Sequence, residues 1–429
     1  MNQQKLQLDK LEKFREETLF KNLNYSSQEF IINCGEKYLL TFQELRKVTE
    51  IAVDFSMWGV SPIEDVWNSF DSDKKEKDSS AKIKLLKKIN EYWETIKSEP
   101  TDYNQPASKV KSIGRKVKDN LKNNDVFGMC PVASEKTVCC NLMTIDAIQG
   151  CTLGCSYCSI QTFYSDGKVD VETNLADKLN ELELDPKKNY HIGSGQSSDS
   201  LALGNRAGVL DAQVSFARKN PNVILEFKTK SKQIEYFLES DIPSNIFISW
   251  SLNPQKIIDR EEHFTASLNM RLESARKVAN KGILVAFHFH PIVYYDGWEK
   301  DYLNVINKVM EMFSPNEVGM ISLGTLTFIK PAIKNLRKLG IKSKVLQMPM
   351  SDASGKYSYP FRIKKKIFDY VYSNFGLWHE KVFFYFCMEE KKLWQSVMGK
   401  CYETNEDFEN SLFNSLKKKL MRINYLNKD

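Results

Sequence analysis

Hydrophobic and polar residues divide this chain of 429 residues into two differently patterned parts. Over residues 1–98, Leu8, Leu11 and Phe14, then Phe42, Leu45 and Val48, recur at helical spacing among polar and charged positions, with no strand-like alternation. That period sets apolar side chains on one face of a helix, so this region is predicted to be a helical N-terminal extension. Within it, Asp71–Ser80 is polar and dense in charge, as expected of an exposed connector. Residues 99–125 contain Pro100, Asn104, Pro106 and Ser108 and then the basic run from Lys109 to Lys122, which reads as a basic linker. From about residue 140 short apolar, β-rich runs appear at Leu142–Ile148, Tyr190–Gly193, Val223–Phe227, Ile246–Leu252, Ile283–Phe289 and Val318–Leu323. Amphipathic stretches separate them at Asn174–Leu184, Arg206–Arg218, Ser267–Asn280 and Lys300–Phe313, with Ser267 placed as an N-cap and Gly282 as a stop. Strands alternating with helices imply a parallel sheet. Six repeats are too few for an eight-stranded barrel, so the predicted fold is α/β: a partial (β/α)6 barrel of TIM type over residues 126–350. An aromatic-rich C-terminal α/β segment over residues 351–429 completes that domain.

In such architectures the chemistry sits at the C-terminal ends of the strands. The loop after the first predicted strand reads Cys151-Thr-Leu-Gly-Cys155-Ser-Tyr-Cys158. Its C-x3-C-x2-C spacing suits three irons of a [4Fe-4S] cube, whose usual four thiolates would then be one short and whose last iron would stay open to another ligand. The same positions also share one face of a helix, where cysteine behaves as a small hydrophobe. Gly150 and Gly154 weigh against that, since each costs a helix about 1 kcal/mol relative to alanine. A structural zinc site is the other possibility, but it wants four ligands in paired spacings, and only Cys139 and Cys140 lie close enough in sequence to help. Together with Cys130 they either approach the loop as a hydrogen donor or redox thiol, or are buried cysteines leading into the first strand.

Composition narrows the classes without choosing among them. No apolar run reaches the length of a membrane span, and the N-terminal residues lack the apolar core of a secretory signal. Nine cysteines, an odd number, argue against a disulfide framework and for a reducing cytoplasm. A net charge of +6 permits a nucleic-acid partner without requiring one. The basic run Lys109–Lys122 and the cluster Lys364, Lys365 and Lys366 are each either a solvated face or a phosphate-binding strip.

Further strand ends carry polar or glycine-bearing motifs. These are His191-Ile-Gly-Ser-Gly-Gln-Ser-Ser-Asp199, Phe227-Lys-Thr-Lys230, Ser249-Trp-Ser-Leu-Asn253 and Phe287-His-Phe-His-Pro-Ile292, with Glu261–Ser267, Asp296-Gly-Trp298, Leu323-Gly-Thr-Leu326 and Phe386-Cys-Met-Glu-Glu390 beside them. The cysteine loop resembles that of radical S-adenosylmethionine (SAM) enzymes. The ordered set of strand-end motifs, over about residues 140–400, resembles the spore photoproduct lyase family within them. What that resemblance implies is a SAM-bound cluster that yields a 5′-deoxyadenosyl radical, hydrogen abstraction from a thymine-dimer lesion in DNA, and restoration of two thymines. It implies Cys151, Cys155 and Cys158 as cluster ligands. Gly193, Gly195, Ser198, Lys230 and Ser251 become SAM contacts, with Lys230 suited to the methionine carboxylate. A flavodoxin- or ferredoxin-type protein would supply the electron. Gln196 stands where the spore enzymes carry a hydrogen-donating cysteine, His290 where the family usually has Asp, and Thr327 where arginine is common. His288 and His290, two apart on a strand, share a face and with Gln196 are the catalytic candidates. These departures leave two other readings: a radical SAM enzyme with an RNA, peptide or small-molecule substrate, and a non-enzymatic nucleic-acid-binding protein with a structural cluster or zinc.

Overall fold

A computed structural model describes residues 11–71, 79–104, 115–121, 125–130, 137–159, 167–195, 197–353 and 355–426. Gln196 and most of the connector Asp71–Ser80 lie outside the described residues. The chain forms two compact units, one of residues 1–102 with 328–351 and the other of residues 103–327 with 352–429.

The first unit is helical, as the N-terminal periodicity predicts. Its helices are Tyr25–Lys37, Phe42–Trp58, Ile63–Phe70, Ser79–Ser98 and Lys330–Lys338. Helix Phe42–Trp58 begins in a capping box, Thr41 accepting from Glu44 N while the Glu44 carboxylate accepts from Thr41 N, and ends at Gly59 in the left-handed conformation. Segment 328–351 belongs to this unit although the sequence pattern runs it on from the barrel. Its Arg337 grips the buried Asp54 with two hydrogen bonds of 2.7 and 2.8 Å, and Trp93 Nε1 donates to the same carboxylate at 3.0 Å.

The second unit is built on an eight-stranded sheet. Its strands are β1 (Phe127–Met129), β2 (Met143–Ile145), β3 (Tyr190–Ser194), β4 (Val223–Thr229), β5 (Ile246–Ser251), β6 (Leu284–Ile292), β7 (Val318–Thr325) and β8 (Phe383–Phe386). They neighbour one another in that same order, all parallel except β1, which runs antiparallel to β2. The six predicted strands are β2 to β7, and β8 extends the partial barrel from the aromatic-rich C-terminal segment. Every residue of β3, β5 and β7 is buried, which is why these runs read as continuous apolar segments rather than alternating ones. The helices between strands also follow the pattern. Ser267 Oγ caps Leu268–Asn280 by accepting from Met270 N at 3.3 Å, and Gly282 leaves that helix with φ +82°.

Helix Asn405–Leu426 lies at the N-terminal ends of the strands. Its Leu416 side chain sits where a Cβ on Gly319, near the start of β7, would come within 2.9 Å, and Lys419 Nζ donates to Pro315 O at 2.5 Å. The floor of the barrel is thereby closed and its C-terminal mouth left for function. The stretch read as a basic linker holds a strand of its own: Lys116–Asn120 pairs in parallel with Lys168–Glu172, which pairs antiparallel with Ile148–Gln149. Four of its five residues are exposed, so no apolar signal marked it.

Candidate active site

A cavity of about 260 Å³ opens at the C-terminal mouth, and every parallel strand contributes to its wall. Cys151, Cys155, Tyr157 and Cys158 come from the loop after β2, and Gly195, Ser198 and Asp199 follow β3. Lys228, Thr229 and Lys230 end β4 and Ser251 ends β5. His290 and Pro291 belong to β6, Gly324 to Thr327 end β7, and Cys387 and Met388 follow β8.

The cysteine loop is fixed by backbone bonds and by a glycine. Gly150 has φ +87°, and a Cβ there would lie 2.7 Å from Lys168 O, so no other residue fits the turn that begins the loop. Gly150 N donates to Ser197 O at 3.1 Å, Ser156 N donates to Glu261 O at 2.8 Å, and Cys155 bridges Glu262. The loop is not a helix, which removes the reading in which its cysteines are one apolar face. Desolvation pushes the Cys151 thiol up to about 12, with Asp199 and Cys158 adding to it, and raises Cys155 well above the ordinary thiol value. Thiolates in this wall therefore require a compensating cation. Leu153 N donates to Cys151 Sγ at 3.5 Å, the kind of N–H···S contact that supports a cluster thiolate. Among the described residues no three His, Cys, Asp or Glu side chains are grouped to hold a single metal ion. Three thiols on one loop in the cavity wall suit a cube with its fourth corner open to another ligand, whereas a structural zinc takes four side chains.

Behind the loop lies a buried polar knot centred on Glu262. Its carboxylate accepts from Arg271 Nη2 at 2.5 Å, Asn253 Nδ2 at 2.8 Å, Lys230 Nζ at 3.2 Å and the Tyr157 hydroxyl. Burial alone would raise its pKa, but Arg271 and Lys230 outweigh it and hold Glu262 well below the usual carboxylate range. Lys230 also donates to His290 O at 3.3 Å and lies over the Tyr157 ring. The aromatic residue inside the cysteine motif is thus tied, through Glu262, to the lysine at the end of β4.

Asp199 is likewise saturated, accepting from Lys230 N at 2.6 Å, Thr229 Oγ1 at 2.8 Å, Ala202 N at 2.9 Å and Leu201 N at 3.0 Å. Gly195 turns the chain at φ +85°, and a Cβ there would meet Ser200 Oγ at 2.4 Å. Ser198, Lys230, Ser251 and Gly195 all line the cavity, whereas Gly193 lies within β3, buried and paired with Thr144 and Glu226.

The two candidate histidines separate. His290 lines the cavity, its Nε2 2.8 Å from Ser322 Oγ, and desolvation with Lys228 nearby pushes its pKa well below the ordinary value. His288 points into the barrel interior. Its Nε2 donates to Glu226 Oε1 at 2.7 Å, while His191 Nε2 donates to Glu226 Oε2 at 3.0 Å and Ser249 Oγ to Oε1 at 2.5 Å. Burial works against charge on Glu226, but the two imidazoles hold its pKa well below the usual carboxylate value. Burial also drives His288 down to about 4, and among the described residues its Nδ1 has no hydrogen-bond partner, as suits a bare acceptor on a neutral ring.

Cys130, Cys139 and Cys140 gather with Cys387, which follows β8. The bridge of Val138 to Glu389, with Val138 N donating to Glu389 O at 3.0 Å, runs antiparallel, and its register sets Cys140 opposite Cys387. The Cys139 thiol and burial both push Cys140 well up, with Cys387 and Cys130 close by. Of these four thiols only Cys387 lines the cavity. Lys228, Asp199 and Cys387 are site residues that sequence reading did not single out, although each falls inside a motif it quoted.

A family model described as "Spore photoproduct lyase" matches residues 136–378, more than half of the chain. The chain is 26% identical over 251 residues to spore photoproduct lyase of Clostridium acetobutylicum, covering 54% of this chain and 73% of that protein. It is 24% identical over 204 residues to the enzyme of Bacillus subtilis, covering 46% and 59%. Among solved structures it is similar to a spore photoproduct lyase variant with bound AdoMet and dinucleoside spore photoproduct, and to the lyase complexed with dinucleoside spore photoproduct. Each of these matches has a TM-score of 0.54 at 20% identity over 70% of this chain and 94% of the solved one, a likeness of fold. The matched residues run from the lead-in to β2 through β7 and so contain the cysteine loop and six of the seven strand ends at the cavity: the chain belongs to the spore photoproduct lyase family.

Proposed function

We propose that this chain is a radical SAM lyase that repairs a thymine-dimer lesion of the spore photoproduct type in DNA. The observation that carries it is the placement of three thiols, two of them strongly desolvated, on a non-helical loop at the mouth where all seven parallel strand ends meet. Cys151, Cys155 and Cys158 hold a [4Fe-4S] cluster. Once bound, it supplies the one-electron cleavage of SAM, which protein side chains cannot perform.

The chain's own residues bind, orient and exclude water. Lys230, fixed by Glu262 beside the cysteine loop, offers its ammonium to the carboxylate of SAM. Ser198 and Ser251 offer hydroxyls across the cavity, and the turn at Gly195 lets backbone approach the cofactor. His290 presents a neutral imidazole to the substrate side. Reduced flavodoxin or a ferredoxin-type protein supplies the electron. A reducing cytoplasm suits nine cysteines that are all thiols, and no described helix is long and apolar enough to cross a membrane.

Gln196 in place of a cysteine favours a second reading, a radical SAM reaction on a different substrate. Anaerobic reconstitution followed by assay on oligonucleotides carrying the lesion separates the two. Formation of 5′-deoxyadenosine together with recovered thymine supports repair. Formation of 5′-deoxyadenosine with the lesion untouched overturns it in favour of the other substrate.

A further inference from the structure

Charge at the cavity does not balance. Four carboxylates line it or lie just behind it, and each is engaged. Asp199 accepts from Leu201 N and Ala202 N on its own turn and from Thr229 Oγ1 and Lys230 N at the end of β4. Glu262 is held by Arg271 and Lys230, and Glu226 by two histidines and Ser249. Glu389 accepts from Lys364 Nζ at 2.8 Å. Among the described residues of the cavity wall, one cation is left over. Lys228 is half-buried in the cavity wall, and its ammonium has no hydrogen bond or ion pair among the described residues. An ammonium in a cavity wall with no counter-ion among the described residues is placed to take an anionic ligand.

The neighbours of Lys228 indicate which anion. Lys228 and Lys230 sit two apart on β4 and face the same way. Lys230 stands against Tyr157 and Glu262 and acts on Cys155, on the cluster side. Lys228 instead acts on His288 and Cys387, on the β6 and β8 side, while both lysines act on His290 between them. A cofactor attached at the cluster meets Lys230 first, whereas a molecule filling the rest of the mouth meets Lys228.

We propose that Lys228 binds the phosphodiester joining the two nucleosides of the lesion, so that the site reads a phosphate as well as the fused bases. This rests on the repair reading above and names one contact within it. The carboxylate of SAM is the other anion that can satisfy the same ammonium.

The test measures affinities of the reconstituted holoenzyme for two forms of spore photoproduct, a dinucleotide with the bridging phosphate and a dinucleoside without it. The wild-type protein is expected to prefer the dinucleotide by about tenfold or more, the value of one charge-assisted contact. In Lys228→Met the two affinities converge, and Lys228→Arg restores the difference. Equal affinities in the wild type, or a preference that survives Lys228→Met, overturns the assignment while leaving repair intact. A Lys228→Met protein that loses SAM affinity instead overturns it in favour of the cofactor carboxylate. Failure of the wild type to bind either form sinks the repair reading, and this contact with it.

Discussion

Lys230 Nζ lies 3.2 Å from Glu262 Oε1, and the same carboxylate is gripped from behind by Arg271 at 2.5 Å. The Glu262 and Arg271 side chains are both 0% exposed. One anion thus positions the lysine of β4, the tyrosine of the cysteine motif and a buried arginine. It links the segment that would hold the cluster to the segment that would hold SAM.

Removing that charge leaves two cations facing a neutral group. Glu262→Gln keeps the shape but strands Arg271 without its counter-ion, and breaking a buried pair from one side costs about 3–5 kcal/mol. Denaturant unfolding of the variant is expected to show a loss of that order, with reduced iron after reconstitution because the Tyr157 tie is weakened. A change under about 1 kcal/mol, with full iron content, would show that the knot has no such role.

Acidification strikes the barrel interior through His288. Its folded pKa of about 4 lies below the ordinary value of 6.5, so the unfolded chain binds the proton more readily between those limits. Stability is full above pH 6.5 and falls as the pH drops towards 4, by up to about 3 kcal/mol from this group. Glu226, whose folded pKa is depressed, adds a loss in the same direction below its ordinary value of 4.5. Unfolding free energies taken from pH 7.5 to 4 should show this slope, and His288→Gln should flatten it. An unchanged slope in the variant would assign the acid sensitivity elsewhere.

Much of the barrel was legible because its strands are buried on both faces, so Ile246–Ser251 and Val318–Thr325 stand out as apolar runs whatever their register. The cysteine loop was legible because its ligands are neighbours in sequence. What could not be read depends on partners far apart in the chain. Arg337 meets Asp54 across 283 residues, and nothing local marks segment 328–351 as part of the helical unit. Lys230 was identified, but its pairing with Glu262 is a loop-to-loop contact without periodicity. His288 and His290 share a strand face, yet only depth decides that one meets Glu226 inside the barrel while the other reaches the cavity. Strand β8 was hidden because Phe383, Phe384, Tyr385 and Phe386 look equally like core aromatics of a helix.

The turn at Gly195 is expected to tolerate no side chain. A Cβ would press on Ser200, whose hydroxyl joins β3 to β4 by donating to Ser194 O at 2.7 Å and accepting from Lys228 N at 3.1 Å. A non-glycine residue held at positive φ costs on the order of 1–3 kcal/mol. Gly195→Ala should therefore lower thermal stability and weaken SAM binding by roughly tenfold, read by equilibrium dialysis on reconstituted protein. Wild-type affinity in a folded variant would remove the turn from the cofactor site.

The most direct measurement is electron paramagnetic resonance of the anaerobically reconstituted and reduced protein, with and without SAM. A reduced [4Fe-4S] signal that SAM changes, and that Cys155→Ala abolishes, is the expected result. A protein that takes up no iron, or a cluster whose spectrum ignores SAM because a side chain occupies its fourth corner, would contradict the proposed chemistry.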